Sequence, residues 1–324
     1  MNPRRRGLIL TAALSALPAM SWASEAVPSD VRLIIPWPAG SGGDIAGRLI
    51  AAMLSRRLHT NIYVENRAGA SGTIGSSLGS REAPDGATLI LGNSASHGSA
   101  PFYIPRLSYD PITSFAPISM LYRNSLVLAV NEKFPATSLA ELVAYARANP
   151  GKLSYGTPGV GTPHQLVCEL LQREAGIRMT HVPYKGSAKV LTDLAGGHIQ
   201  IAVSAQAAAL ELYRSKIIRI LAVADKTRTK QLPDVPAIAE TYPGFDVAGW
   251  GALFAPKNLP NKLVERYNAA VVAALSDPDL RNKLEAAGFL PVSSTPAELL
   301  AIVKQEHQRW ASIVKHDMTV TNTY

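Results

Sequence analysis

The stretch RLIIPWPAGSGGDIAGRLI, Arg32 to Ile50, decides how the chain folds. A short β-branched run meets Pro36 and Pro38, passes through a glycine-rich turn and opens into an amphipathic pattern, which is the order strand, turn, helix. Ser41 followed by Asp44 fits a capping box at the helix start, so Asp44 reads as a structural cap of the turn and not as a ligand-contacting base. The first N–H groups of a helix lack partners and sit at the positive end of its dipole, so such a turn suits phosphate, sulfate or carboxylate.

The same rhythm runs outward from this stretch. VRLII, a helical DIAGRLIAAMLSRRL, NIYVEN, a short helical GTIGSSLGS and ATLILGN alternate as βαβ units do and predict a mostly parallel sheet. It resumes after Pro135 with SLAELVAYARAN, KLSYG, PHQLVCELLQREAG, MTHVPY, AKVLTDLAGG, IQIAVS and IIRILAVA. Two α/β lobes are therefore expected: residues 27–122 with 250–324 in one, and 123–249 in the other. The segments YDPITSFAPISMLYRNSLVLAVN and YPGFDVAGWGALFAPKNLP lack helical period and read as crossovers between them. The helices that follow, from Asn261 onward, most simply return to cover the first lobe.

The second lobe carries a matching turn, YGTPGVGTPHQL. Thr162 stands as N-cap, Pro163 at the first helical position, and Gln165 where it would close a capping box. In open α/β sheets ligands lie beyond the carboxyl ends of strands, where both turns fall. One such turn could merely permit a tight backbone; two in matching places point to ligand binding.

Competing motifs fail on context. Gly75-Ser76-Ser77-Leu78-Gly79 matches the nucleophile-elbow pattern, but no buried strand leads into it. Gly42 to Gly47 has phosphate-loop spacing with Arg48 and Leu49 where Lys and Ser or Thr are required. Ile45 and His164 occupy the third glycine position of the dinucleotide fingerprint in the two turns. Seven histidines without an H-x-x-x-H pair and one cysteine, Cys168, make a zinc cluster an unlikely design, so no metal or cofactor is expected. Cys168 reads as a core thiol on a helix. His164, in the first turn of its helix, and His97, after ATLILGN, are cleft candidates that could equally be half-buried structural residues. An alternative function, a secreted serine hydrolase using Ser77 or Ser96 with a histidine, needs a dyad that only tertiary contacts could supply.

With 47% hydrophobic and 17% charged residues the chain reads as globular, and its 324 residues allow two domains. Arg4, Arg5 and Arg6 precede an apolar run broken by Pro18 and then Ser21-Trp22-Ala23, the pattern of a signal peptide over residues 1–23 cleaved after Ala23. The arginine run fits the general or the twin-arginine export route. Cleavage would remove three arginines and lower the formal charge from +8 to +5. Scattered Lys and Arg exclude a nucleic-acid stripe.

PWPAGSGGDIAGR, VENRAGASGTIG, PDGATLILGN, YGTPGVGTPHQL and above all VPYKGSAKVLTDLAGGHI resemble the Bug family of extracytoplasmic solute receptors, the binding proteins of tripartite tricarboxylate transporters. The resemblance runs through nearly the whole mature chain. It implies a two-lobed periplasmic binding protein of the flytrap, type II-like form, with two crossover strands. It also implies no catalysis, a small carboxylate ligand, and membrane transporter subunits or a sensor kinase as partner; a monomer is expected. In the family, carboxylates are held mainly by backbone N–H groups, hydroxyls and waters of strand-to-helix loops. The matching positions are Ala39, Gly40, Ser41, Gly42 and Gly43; Asn93, Ser94 and Ser96; Thr157, Gly161, Thr162 and His164; Tyr184, Lys185 and Gly186; and Ser204 with Ala205. Lys185 could place a charge near the cleft or pack its stem on Tyr184. Ala87, Lys189 and Ser204-Ala205 depart from the family pattern. The last pair replaces a frequent acid or amide, which favours a plain carboxylate or an aromatic acid over an amino acid.

Overall fold

The protein is described here from a computed structural model covering residues 26–184 and 186–317, with side chains to residue 313. The expected signal peptide, residues 1–23, and Lys185 lie outside the described residues. From the N-terminus come β1 (Asp30–Ile35), α1 (Gly42–Leu58), β2 (Asn61–Asn66), α2 (Thr73–Gly79) and β3 (Thr88–Asn93). A π-helical turn, Ser94–Ser99, runs straight into α3 (Ala100–Tyr103). Next are β4 (Phe115–Asn124), β5 (Leu126–Asn131), α4 (Leu139–Ala148), β6 (Ser154–Thr157), α5 (Pro163–Ala175), β7 (Thr180–Pro183) and α6 (Ser187–Ala195). After these come β8 (Ile201–Ala205), α7 (Gln206–Arg214), β9 (Ile218–Val223) and β10 (Gly249–Pro256). The chain closes with α8 (Asn261–Leu275), α9 (Pro278–Ala286), β11 (Leu290–Pro291) and α10 (Pro296–Asp317).

Two sheets result, with strand orders β11-β4-β10-β3-β1-β2 and β7-β6-β8-β5-β9. Strand β4 belongs to the first and β5 to the second, with Ser125 alone between them, and β10 brings the chain back. The expected mostly parallel sheets are parallel only in part. In the first, β1 pairs in parallel with β2 and β3, while β10 runs antiparallel to β3 and β4. In the second, β6 is parallel to β7 and β8, while β5 is antiparallel to β8 and β9. The reversed strands β5 and β10 are those by which the chain enters each sheet from the other, without the helical crossover that keeps βαβ strands parallel.

The first sheet buries Leu33, Ile35, Leu89 and Leu91 against Ile50 and Leu54 of α1 and Leu263 and Val271 of α8. Its opposite face places Ile90 and Phe254 against Leu299 and Val303 of α10. The expectation that all C-terminal helices cover the first lobe holds for α8, for α9 through Leu280 and Leu284, and for the start of α10, but not for the rest of α10. About two to three turns further on, Trp310 and Ile313 join the core of the second sheet with Leu166, Leu170 and Leu221. Helix α10 spans about 1.5 Å per residue, enough for one apolar stripe to reach both cores. It is a strap across the two sheets, with Trp310 1% exposed and packed edge-on against Tyr103 at 5.0 Å.

Candidate functional site

Between the sheets lies a cleft of about 360 Å³. The starts of several helices converge on it. Gly43 comes from the first turn of α1, Ser94 and Ala95 from the π-helical turn, Thr162 and His164 from the start of α5, Ser187 from α6, and Ala205 from the residue preceding α7. Each start follows a strand or a strand-end loop, so first-turn N–H groups and positive dipole ends gather around one cleft.

Both glycine turns use their caps differently from the expected box. Ser41 Oγ accepts the N–H of Asp44 at 3.4 Å, but the Asp44 carboxylate accepts the N–H of Gly40, not that of Ser41, at 2.9 Å. Gln165 Oε1 likewise accepts the N–H of Gly161 at 2.8 Å, while the Thr162 hydroxyl donates to Gly159 O at 2.8 Å and caps nothing. The shift by one residue has a conformational cause: Gly40 and Gly161 both have positive φ, near 80° and 74°, which turns their N–H groups back toward the helix. Two unrelated side chains thus perform one task, and the turn amides they take are no longer available to a ligand.

Asp44 is almost fully buried, and Arg48 Nε at 3.0 Å and Asn66 Nδ2 at 2.7 Å complete its shell. Burial alone would raise its pKa; the bonds from Arg48, Asn66 and Gly40 outweigh that and lower it. It is committed to the turn, with its charge neutralised by Arg48.

The remaining positions divide clearly. Gly43, Asn93, Ser94, Thr162, His164 and Ala205 line the cleft. Ala39, Gly40, Ser41 and Gly42 form the exposed or half-exposed rim of the β1–α1 turn. Ser96 is fully enclosed, its hydroxyl 2.9 Å from His97 Nδ1 and accepting the N–H of Asn93. Thr157 is fully buried, with its hydroxyl 2.6 Å from His181 Nε2. Gly161 passes under the Tyr103 ring, and its carbonyl accepts from Ser99 of the first sheet's π turn. Tyr184 donates to Asp193 at 2.9 Å, and Gly186 precedes α6. The Ser204 hydroxyl is buried without a partner.

The two histidines separate. His164 lines the cleft with both ring nitrogens sealed from solvent and unpartnered, and burial lowers its pKa to about 4, so it is neutral and offers one donor and one acceptor. His97 lies in the core, stacked on Phe254 at 4.1 Å and tilted against Phe115 at 4.6 Å; burial, aided by His307, lowers its pKa to about 3. A base so weak and so enclosed is poorly suited to activate Ser96. Ser77 meets Ser108 at 2.7 Å.

Sequence reasoning missed the aromatic walls, Trp37, Tyr122, Trp250 and Phe289, and the crossover residues Asn124 and Gly249. Trp37 lay within the quoted turn between two prolines, which was its one local signal. The others come from crossover strands and from the turn after α9, regions that read only as connectors. No described lining residue of the cleft is Asp, Glu, Lys or Arg.

Comparison with known proteins now bears on this arrangement. The sequence profile described as the tripartite tricarboxylate transporter family receptor matches residues 46–318. Protein BugT of Bordetella pertussis is 33% identical over 315 residues, covering 95% of this chain and 95% of BugT. An adipate-bound protein of R. palustris superposes with a TM-score of 0.76 at 34% identity, covering 88% of this chain and 96% of that one. MatC of Rhodopseudomonas palustris with bound malate gives 0.74 at 32% identity, covering 88% and 98%.

Proposed function

The chain belongs to the tripartite tricarboxylate transporter receptor family, and from that premise we propose that it is a periplasmic receptor that captures a small organic carboxylate between two lobes, residues 27–122 with 250–324 and residues 123–249. The carrying observation is the convergence of helix starts on a cleft without charged lining side chains among its described residues. Oriented N–H dipoles stabilise an anion there without the desolvation cost that a buried cationic side chain would add. The ligand-bound relatives, one with adipate and one with malate, support the same ligand class.

The aromatic walls favour an acid with an apolar body, a longer dicarboxylate or an aromatic acid, lying between Trp37 and Phe289. Neutral His164 adds a wall of the cleft from the second lobe without placing a charge there. Each lobe carries part of the set: Gly43, Ser94 and Asn93 on one side, Thr162, His164, Ser187 and Ala205 on the other. Only the closed form presents both together, so ligand favours closure. The protein acts as an exported monomer that hands its ligand to membrane transporter subunits, and it performs no chemistry.

Thermal-shift screening of the mature chain against mono-, di- and tricarboxylates and aromatic acids, run beside an esterase assay, tests this reading. A rise in Tm with no turnover is expected. Ester turnover abolished by Ser77→Ala, or no response to any acid, overturns it.

A further inference from the structure

Two crossover strands lay the floor of the cleft, and they bring unequal side chains to it. Strand β4 ends in Tyr122-Arg123-Asn124, and β10 opens with Gly249-Trp250-Gly251. The strands run antiparallel, with Asn124 directly opposite Gly249 and Tyr122 opposite Gly251. Opposed residues share one face of a sheet, so two polar side chains stand beside two glycines. Arg123, between them, turns to the other face, where its guanidinium pairs with Asp246 at 2.5 Å.

The glycines give these side chains their room. A Cβ on Gly249 would lie 2.4 Å from Asn124 Oδ1 and 2.7 Å from Nδ2, and one on Gly251 would lie 2.3 Å from Tyr122 Cζ. The amide and the phenol therefore lie down across β10, in space that any larger residue would fill. Both residues line the cleft, and neither the amide nor the hydroxyl has a hydrogen bond to another described residue. Asn124 is half-buried; Tyr122 is buried and packed against Phe289, with ring centroids 4.6 Å apart. Burial raises the Tyr122 pKa, so the phenol keeps its proton. Ser125 alone separates Asn124 from β5 of the other sheet, which puts the amide at the seam of the lobes, between their two sets of helix starts.

We propose that Asn124 is a specificity-determining residue of the cleft, whose amide reads a hydroxyl group on the carbon body of the bound acid. The assignment rests on the carboxylate reading above and narrows its ligand class to hydroxylated acids. A hydroxyl both donates and accepts, so it satisfies whichever atom of the amide it meets, with the Tyr122 phenol two residues along the strand as a further partner. A methylene group at the same point would take the amide out of water and return no bond. A third carboxylate would use only the amide N–H groups and set its charge against Oδ1. An ammonium would use only Oδ1, among the positive ends of the helix dipoles.

The test is calorimetric titration of the mature chain with adipate and with 3-hydroxyadipate, repeated on Asn124→Leu, which keeps the size and branching of the side chain without its polar atoms. The wild type should bind 3-hydroxyadipate more tightly by about tenfold to a hundredfold, and Asn124→Leu should bind the two acids within about threefold of each other. Adipate held by the variant at least as tightly as by the wild type shows that the fold and the helix-start contacts are kept. Adipate bound as tightly as 3-hydroxyadipate by the wild type, or a hydroxyl preference that survives in Asn124→Leu, overturns the proposal and leaves the carboxylate reading standing. The wild-type comparison decides even if the variant does not fold. Binding of neither acid overturns the proposal as well, and the carboxylate reading falls with it only if the whole acid panel fails.

Discussion

Gly288, after α9 of the first lobe, gives the sharpest test of lobe closure. It has φ of 85°, and a Cβ built on it would stand 2.4 Å from the Cβ of Ala207 at the start of α7, across the cleft. Ordinary carbon contacts lie near about 3.5–4.0 Å, so Gly288→Ala drives two methyl groups into each other only while the lobes are closed. Such overpacking costs about 1–3 kcal/mol. The backbone strain of alanine at positive φ, about 1–2 kcal/mol, is present open or closed and cancels in the binding equilibrium. The closed state alone is therefore penalised, and carboxylate affinity should fall by about five- to a hundredfold. Calorimetry with the best acid from the thermal-shift screen measures it. Ala207→Gly removes the opposing methyl, so the double variant should recover most of the affinity while keeping the strain. Unchanged affinity in Gly288→Ala, or no recovery in the double variant, refutes closure at this contact.

Asp44→Ala removes the acceptor for Gly40, Arg48 and Asn66 and should destabilise the fold by about 2–3 kcal/mol in urea denaturation. Since the folded Asp44 pKa is lowered, its stabilisation is present above the unfolded value and fades as pH falls toward the folded one, so the variant gap should narrow in acid. His164 is held near 4 against an unfolded value of about 6.5, so the unfolded chain binds the extra proton between those limits and stability drops as pH falls through them. His164→Gln should recover part of that acid loss, up to about 3 kcal/mol, in melts taken across the window. Trp310→Ala opens a cavity where α10 enters the second core and should cost about 3–5 kcal/mol by denaturation.

Periodicity carried most of the fold. The run from Arg32 to Ile50 shows a strand, a breaker and a 3.6-residue pattern within nineteen residues, and it forms β1 and α1 as read. Helix α7 escaped because β8 ends at Ala205 and the helix begins at Gln206, with no glycine, proline or side-chain cap to mark the change. The π-helical turn at Ser94–Ser99 is too short and too widely wound to leave a helical period. In the site, backbone chemistry was legible because glycine and cap residues act locally, although positive φ moved each cap one residue back. The aromatic walls were not, since Trp37, Tyr122, Trp250 and Phe289 meet only through packing between distant strands. The strap role of α10 is likewise a long-range fact: Leu299 and Trp310 share a helix but serve different cores.

The central claim is that the cleft recognises carboxylate charge through backbone dipoles. Calorimetric titration of the mature chain with adipate and with its uncharged diamide at matched ionic strength tests it most directly. The account predicts saturable one-site binding of the diacid and loss of binding when both carboxylates become amides. Equal affinity for the diamide, or no binding of adipate or any other acid of the panel, would contradict it.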